Sequence, residues 1–158
     1  MPVPILNMIM EMLRSDKYKH LEKDVKVVRL PHIDQLLNTL LRKSEIVLQL
    51  STKEGFEIKV TEGLMKYKPL ICYRTGGIPL QIEENINGYL VTAGDTHAVA
   101  QHMFDLLTDA KLYKKMSEAA GKLANQDYLT VPNAMLWLFL AVRLLKDGKV
   151  PGKLTFCF

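Results

Sequence analysis

The chain has 158 residues, is 48% hydrophobic and 24% charged, and carries 21 Lys and Arg against 17 Asp and Glu, a formal net charge of +4. That profile suits one globular domain with a real core and excludes a disordered tail or a disulfide miniprotein. The positive excess is scattered, with 13 basic and 9 acidic residues up to position 80 and 8 of each beyond it.

No run of five basic residues occurs, so a nucleic-acid partner, which needs a basic stripe or arm, is not expected. Cys72 and Cys157 stand in no metal or redox spacing. They read as reduced thiols of a cytoplasmic protein, with no metal site and no cofactor. The apolar start of the chain lacks a basic opening and a small-residue cleavage site, so it reads as a helix rather than a signal peptide. The run AMLWLFLAV at 134–142 is nine residues long, far short of the roughly twenty that span a bilayer. No membrane association is expected.

In chain order, Ile5, Met8, Ile9, Met12 and Leu13 form a helical stripe over 5–15. The β-branched run VKVVRL at 25–30 stops at Pro31 and predicts a strand. Asp34 is a candidate N-cap for QLLNTLLRK, whose leucines recur at helical spacing. EIVLQL at 45–50 predicts a second strand, 56–66 a helix, and PLICY at 69–73 a third strand. Asn87-Gly88 marks a turn before a short strand at 89–91. Asp95 then caps a helix through Leu107, and helices follow at about 110–125 and 132–146. Strands separated by helical stretches imply an α/β fold, a parallel sheet sandwiched by helices on both faces. In such a sheet the loops at the carboxyl ends of strands carry the chemistry. The methionines read as core filler, His32 as a structural residue, His97 and His102 as surface residues, and the last helix as one that buries most of its circumference.

The loop after the second predicted strand reads Ser51-Thr52-Lys53-Glu54-Gly55-Phe56 and runs into the helix that holds Glu62. A helix start offers free N–H groups and partial positive charge suited to phosphate, and a carboxylate beside it can accept hydrogen bonds from two adjacent sugar hydroxyls. The alternative is that Glu54 serves the helix dipole and Gly55 the turn. The next loop, Arg74-Thr75-Gly76-Gly77, either lets backbone amides approach a ligand beside a cationic side chain or is a flexible turn. No dinucleotide or P-loop glycine pattern is present.

These motifs are linked. Glu54 and Glu62, the Lys68-Pro69 strand start, Gly76-Gly77 and Asn87-Gly88 follow one another over 51–91. In that order they resemble the donor-site signature of retaining glycosyltransferases of family 4. RLPHIDQLLNTLL, STKEGFEIKVTEGL and TVPNAMLWLFLAV are similar to the trehalose phosphorylase and trehalose synthase branch, the fungal retaining phosphorylases above all.

The resemblance implies the Rossmann-like C-terminal, donor-binding domain of a two-domain GT-B enzyme, N-terminally truncated, over 1–150, with a tail at 151–158. It implies reversible conversion of trehalose and phosphate into α-glucose 1-phosphate and glucose, with these residues inactive on their own. Glu54 would be the catalytic residue that holds the donor glucose. Gly55, Phe56, Glu62, Arg74, Thr75, Gly76 and Gly77 would bind substrate, with the amides of Gly55 and Phe56 facing phosphate and Glu62 matching a ribose contact in nucleotide-dependent relatives.

Partners implied are a sugar phosphate or nucleotide sugar, phosphate, and either a second copy or an N-terminal domain docked on the 132–146 helix. Two alternatives stay open: a nucleotide-sugar-dependent glucosyltransferase, and a non-catalytic remnant that binds a sugar phosphate or a partner protein. Departures from the family pattern are the absence of its early basic pair in a matching context, and Tyr67 where a helix-closing glycine is usual. Gly63, inside the 56–66 helix, costs about 1 kcal/mol relative to alanine.

Overall fold

A computed structural model describes residues 3–148. Cys157 and the 151–158 tail lie outside the described residues. The chain divides into two compact units, one ending at Thr39 and the other beginning at Leu40.

In the first unit the predicted amphipathic helix forms as α1 (Val3–Arg14). Its Leu13 is buried, whereas Met8 and Met12 are exposed rather than core filler. Residues 25–30 are not a strand. A β-branched run needs a neighbouring edge to satisfy its backbone, and the described residues of this unit supply no strand. Val28 accordingly stands exposed. A helix, α2 (Asp34–Lys43), crosses the boundary, with Asp34 in its first turn rather than ahead of it. There the carboxylate still complements the helix dipole.

The second unit is the predicted α/β sandwich. Three strands, β1 (Val47–Gln49), β2 (Leu70–Tyr73) and β3 (Gly88–Val91), form a parallel sheet in the order β1-β2-β3. Val47 lies opposite Leu70, and Leu70 opposite Gly88. The central strand is buried on both faces, as a parallel sheet requires. Leu70 and Cys72 join Val60 and Leu64 of α3 (Ile58–Leu64), with Ala120 of α5 (Ala110–Leu123), in one core. Ile71 and Tyr73 point the other way, to Val99 and Leu106 of α4 (Thr96–Thr108) and Met116 of α5. Period-two alternation along one strand thus builds both layers.

The cap expected at Asp95 forms, accepting from the Ala98 N–H at 3.0 Å, and Asp109 likewise caps α5 through the amides of Lys111 and Leu112. His102 is not a plain surface residue, because its ring stacks on Tyr89 at 3.9 Å. The last helix, α6 (Thr130–Asp147), does not bury its circumference against the sheet. Leu145 is 87% exposed, and Leu138, Phe139 and Met135 are exposed beside it. Among the described residues no helix is long and apolar enough to cross a membrane.

The end of α3 explains how Tyr67 stands in for glycine. Tyr67 adopts φ 58°, and the Tyr67 and Lys68 amides donate to the carbonyls of Leu64 and Gly63 at 2.8 and 3.2 Å. That is a Schellman closure paid in left-handed strain of about 1 kcal/mol. The ring lies over Gly121, where an added Cβ would sit 2.3 Å from it. Gly121→Ala is therefore expected to lower stability by about 1 kcal/mol while Tyr67 is present. In a Tyr67→Gly background it should raise stability by about 1 kcal/mol, the ordinary helix gain. Urea melts of the four proteins check this; the same sign in both backgrounds would contradict it.

Candidate functional site

The loops after β1 and β2 lie at the carboxyl ends of adjacent parallel strands, and they are fastened to each other. The Thr75 hydroxyl donates to the Ser51 carbonyl at 3.1 Å, and the Gly77 N–H donates to the Gly55 carbonyl at 2.6 Å. Gly76 has φ 52°, and a Cβ there would meet the Glu54 carbonyl oxygen at 2.1 Å. At Gly77 it would meet the Phe56 Cα at 3.1 Å. The glycine pair thus allows one loop to approach the other's backbone, and the Gly77 amide is spent on that contact. At Gly55 an added Cβ would meet nothing within 4 Å.

The helix predicted to begin at Phe56 begins at Ile58. Glu57 precedes it at φ 57°, and its carboxylate accepts from the Lys59 N–H at 3.2 Å. The amides of Gly55 and Phe56 therefore belong to the loop and not to the helix terminus, and the helix start is capped by the chain's own carboxylate. A glutamate in left-handed backbone leaves no mark in the sequence.

The structure gathers Glu54, Gly55, Phe56, Thr75, Gly76 and Gly77 in the docked loops. Glu54 is half-buried, and one of its carboxylate oxygens accepts from Gln49 Nε2 at 3.4 Å. Glu62 lies on α3, paired with Lys59 at 2.9 Å. Arg74 leaves β2 beside the loop, with its guanidinium on Glu84. Both these pairs are solvent-accessible, so each holds its partners with little net stabilisation and can open to a ligand.

Two residues of this neighbourhood escaped the sequence reading. Gln81 is buried and reaches both Thr61 and the backbone of residues 56–57, and Gln49 holds Glu54. The available signal was an amide side chain embedded in an apolar run, Leu80-Gln81-Ile82 and Leu48-Gln49-Leu50, since such a group must find partners once buried. Cys72, also beneath the site, is no nucleophile. Burial pushes its thiol up to about 12, with the Glu57 charge adding to the effect and the hydrogen bond at the Gln49 backbone opposing it.

Phe56 also lines a cavity of about 790 Å³ with Ile58, Tyr128, Asn133 and Trp137. Its ring meets Tyr128 edge to face at 4.7 Å. Among the described residues no cluster of side chains could hold a metal ion.

A family model described as glycosyl transferases group 1 matches residues 14–123. The chain is 50% identical over 146 residues to the trehalose phosphorylase of Pleurotus pulmonarius, a match covering 92% of this chain and 20% of that protein. It thus spans about one fifth of the length of the curated relatives it matches.

Among solved structures it is similar to the C-terminal domain of a glycosyl transferase group 1 family protein from Francisella tularensis. The TM-score is 0.72 at 24% identity, over 81% of this chain and 66% of that one. It is also similar to Anabaena HepE in complex with UDP, with a TM-score of 0.74 at 22% identity, over 89% and 38%. The Rossmann-like α/β fold expected from the sequence is therefore that of a GT-B glycosyltransferase domain.

Proposed function

The chain belongs to the glycosyl transferases group 1 family, and from that premise we propose that it carries the donor side of a retaining trehalose phosphorylase. The observation that carries this reading is the fastening of the loop after β1 onto the loop after β2, which sets Glu54 at the strand ends where α/β sheets take ligands. The 50% identity to a trehalose phosphorylase supports the substrate class.

In the forward reaction the bond from the anomeric carbon of one glucose to the bridging oxygen breaks. A phosphate oxygen takes that carbon, and the released glucose takes a proton. Glu54 accepts hydrogen bonds from donor-glucose hydroxyls, and the Gly55 and Phe56 amides face the phosphate. Arg74 leaves Glu84 for the anion, while Thr75, Gly76 and Gly77 shape the wall. The acceptor side comes from protein beyond these residues, docked with a second copy or another domain on the apolar face of α6. The 158 residues alone turn nothing over. A cytoplasmic setting suits the free, buried thiol of Cys72.

Titration calorimetry with α-glucose 1-phosphate tests the site. Glu54→Ala is expected to weaken binding by at least about tenfold, the loss of charge-assisted hydrogen bonds of about 1.5–3 kcal/mol. Affinity unchanged by the substitution would sink the assignment.

A second reading, a nucleotide-sugar donor, is favoured by Glu62 on α3, the helix that follows the loop of Glu54, and by the likeness to HepE, a protein solved with UDP. UDP-glucose binding that is lost in Glu62→Ala, with no binding of α-glucose 1-phosphate, would establish it. A non-catalytic role would show as sugar-phosphate binding without turnover even after the N-terminal part of a relative is supplied.

A further inference from the structure

We propose that Gln81 is the positioning residue of the donor loop, a carboxamide clamp that fixes the turn at Glu57; its consequence for ligand affinity rests on the donor reading above. Gln81 is 7% exposed and Thr61 1%. The Thr61 hydroxyl donates to Gln81 Oε1. The other end of the amide faces two backbone carbonyls, which can only accept, so Nε2 lies there and Oε1 is left for the Thr61 hydroxyl.

Both Nε2 protons are then directed at the loop. Nε2 donates to the Phe56 carbonyl and, at 3.4 Å, to the Glu57 carbonyl. Those two carbonyls flank the single residue that holds left-handed backbone at the entry to α3. A non-glycine residue keeps that conformation only where its surroundings over-determine it. One buried side chain grips the peptide on each side of the kink, and its other end is anchored on α3 itself.

The clamp reaches the rest of the site through short links. Phe56 follows Gly55, whose carbonyl takes the Gly77 N–H, and Glu54 precedes it. The strained turn at Glu57 and the docking of the two loops are thus parts of one arrangement. Released from Gln81, the Glu57 turn can relax toward ordinary backbone. Residues 54–57 then lose the fixed geometry that a preorganised binding loop needs.

A merely structural role predicts something different, and an apolar pair separates the two. Gln81→Met keeps the volume but orphans the Thr61 hydroxyl and the Phe56 and Glu57 carbonyls, so it destabilises the fold. Thr61→Val together with Gln81→Met removes the Thr61–Gln81 pair and recovers that part of the urea midpoint, while the two loop carbonyls stay without their donor. The clamp is still absent in that double variant.

The experiment is amide hydrogen exchange by NMR on the 158-residue chain, wild type against the double variant, with α-glucose 1-phosphate calorimetry on the same samples. The expected result is exchange at least tenfold faster at Gly77 and Lys59, whose N–H groups report the loop contact and the Glu57 cap, with Ile71 and Tyr73 in β2 unchanged. Affinity for α-glucose 1-phosphate should fall at least fivefold.

Loop exchange that returns to the wild-type rate in the double variant would overturn the proposal. If the wild-type chain binds no α-glucose 1-phosphate while loop exchange still responds to Gln81, the donor reading fails and the clamp stands. Affinity that stays at the wild-type level while the loop exchanges faster would overturn the link between clamp and binding.

Discussion

Replacing Gly76 by alanine is expected to destabilise the chain by about 3 kcal/mol or more and to abolish sugar-phosphate binding. Two independent terms add. Holding a residue with a Cβ at φ 52° costs about 1–2 kcal/mol. The new methyl also falls 2.1 Å from the Glu54 carbonyl and 2.5 Å from that of Gly55. Both obstacles are backbone, so no side chain can swing aside, and overpacking of this kind costs about 1–3 kcal/mol more.

Relief requires the loop after β2 to back away from the loop after β1, which breaks the Gly77-to-Gly55 bond. Gly55→Ala is the control, since its Cβ enters open space and its backbone is not left-handed. It should change stability by less than about 0.5 kcal/mol. Urea unfolding of the two variants checks the contrast, and equal effects would mean that the loops are not docked as described.

Leu64→Ala is expected to cost about 3 kcal/mol, within the range for a fully buried leucine. Leu64 is 1% exposed and sits in the core with Val60, Leu70 and Ile78. The effect reaches the site because α3 has only seven residues. A helix that short has no stability of its own in water, so its packing holds Glu62, the Thr61 hydroxyl and the cap at Glu57 in place. Denaturant unfolding gives the magnitude. A loss below about 1 kcal/mol would show that α3 is anchored elsewhere.

Much of the second unit was legible in the sequence because its signals are local. β1, β2 and β3 fall within or one residue beyond the runs 45–50, 69–73 and 89–91, and the short acceptor Asp95 marked the start of α4. The run at 25–30 carried the same β-branched signal but not the partner edge that makes a strand. The exposure of α6 could not be read either, because an apolar helix announces a need for burial without saying what meets it.

The site was legible in its residues more than in its mechanics. Glu54, Gly76 and Gly77 were marked by position after a strand, but the sequence left open whether the glycines admit a ligand or serve a turn. Their missing side chains let the other loop approach. The left-handed turn at Glu57 and the grip of Gln81 on residues 24 and 25 positions away depend on tertiary approach, for which one sequence has no periodic trace. The family was legible in the linked motifs over 51–91, and the matching family model covers both loops.

The function proposed for this chain rests on the two docked strand-end loops forming one donor site. The most direct measurement is an NMR titration of the isotopically labelled chain with α-glucose 1-phosphate, following every assigned backbone amide. A single donor site there predicts saturable shifts concentrated at residues 54–57 and 74–77, with α4 and the far half of α5 unmoved. Shifts confined to other elements, or none at millimolar ligand, would contradict it.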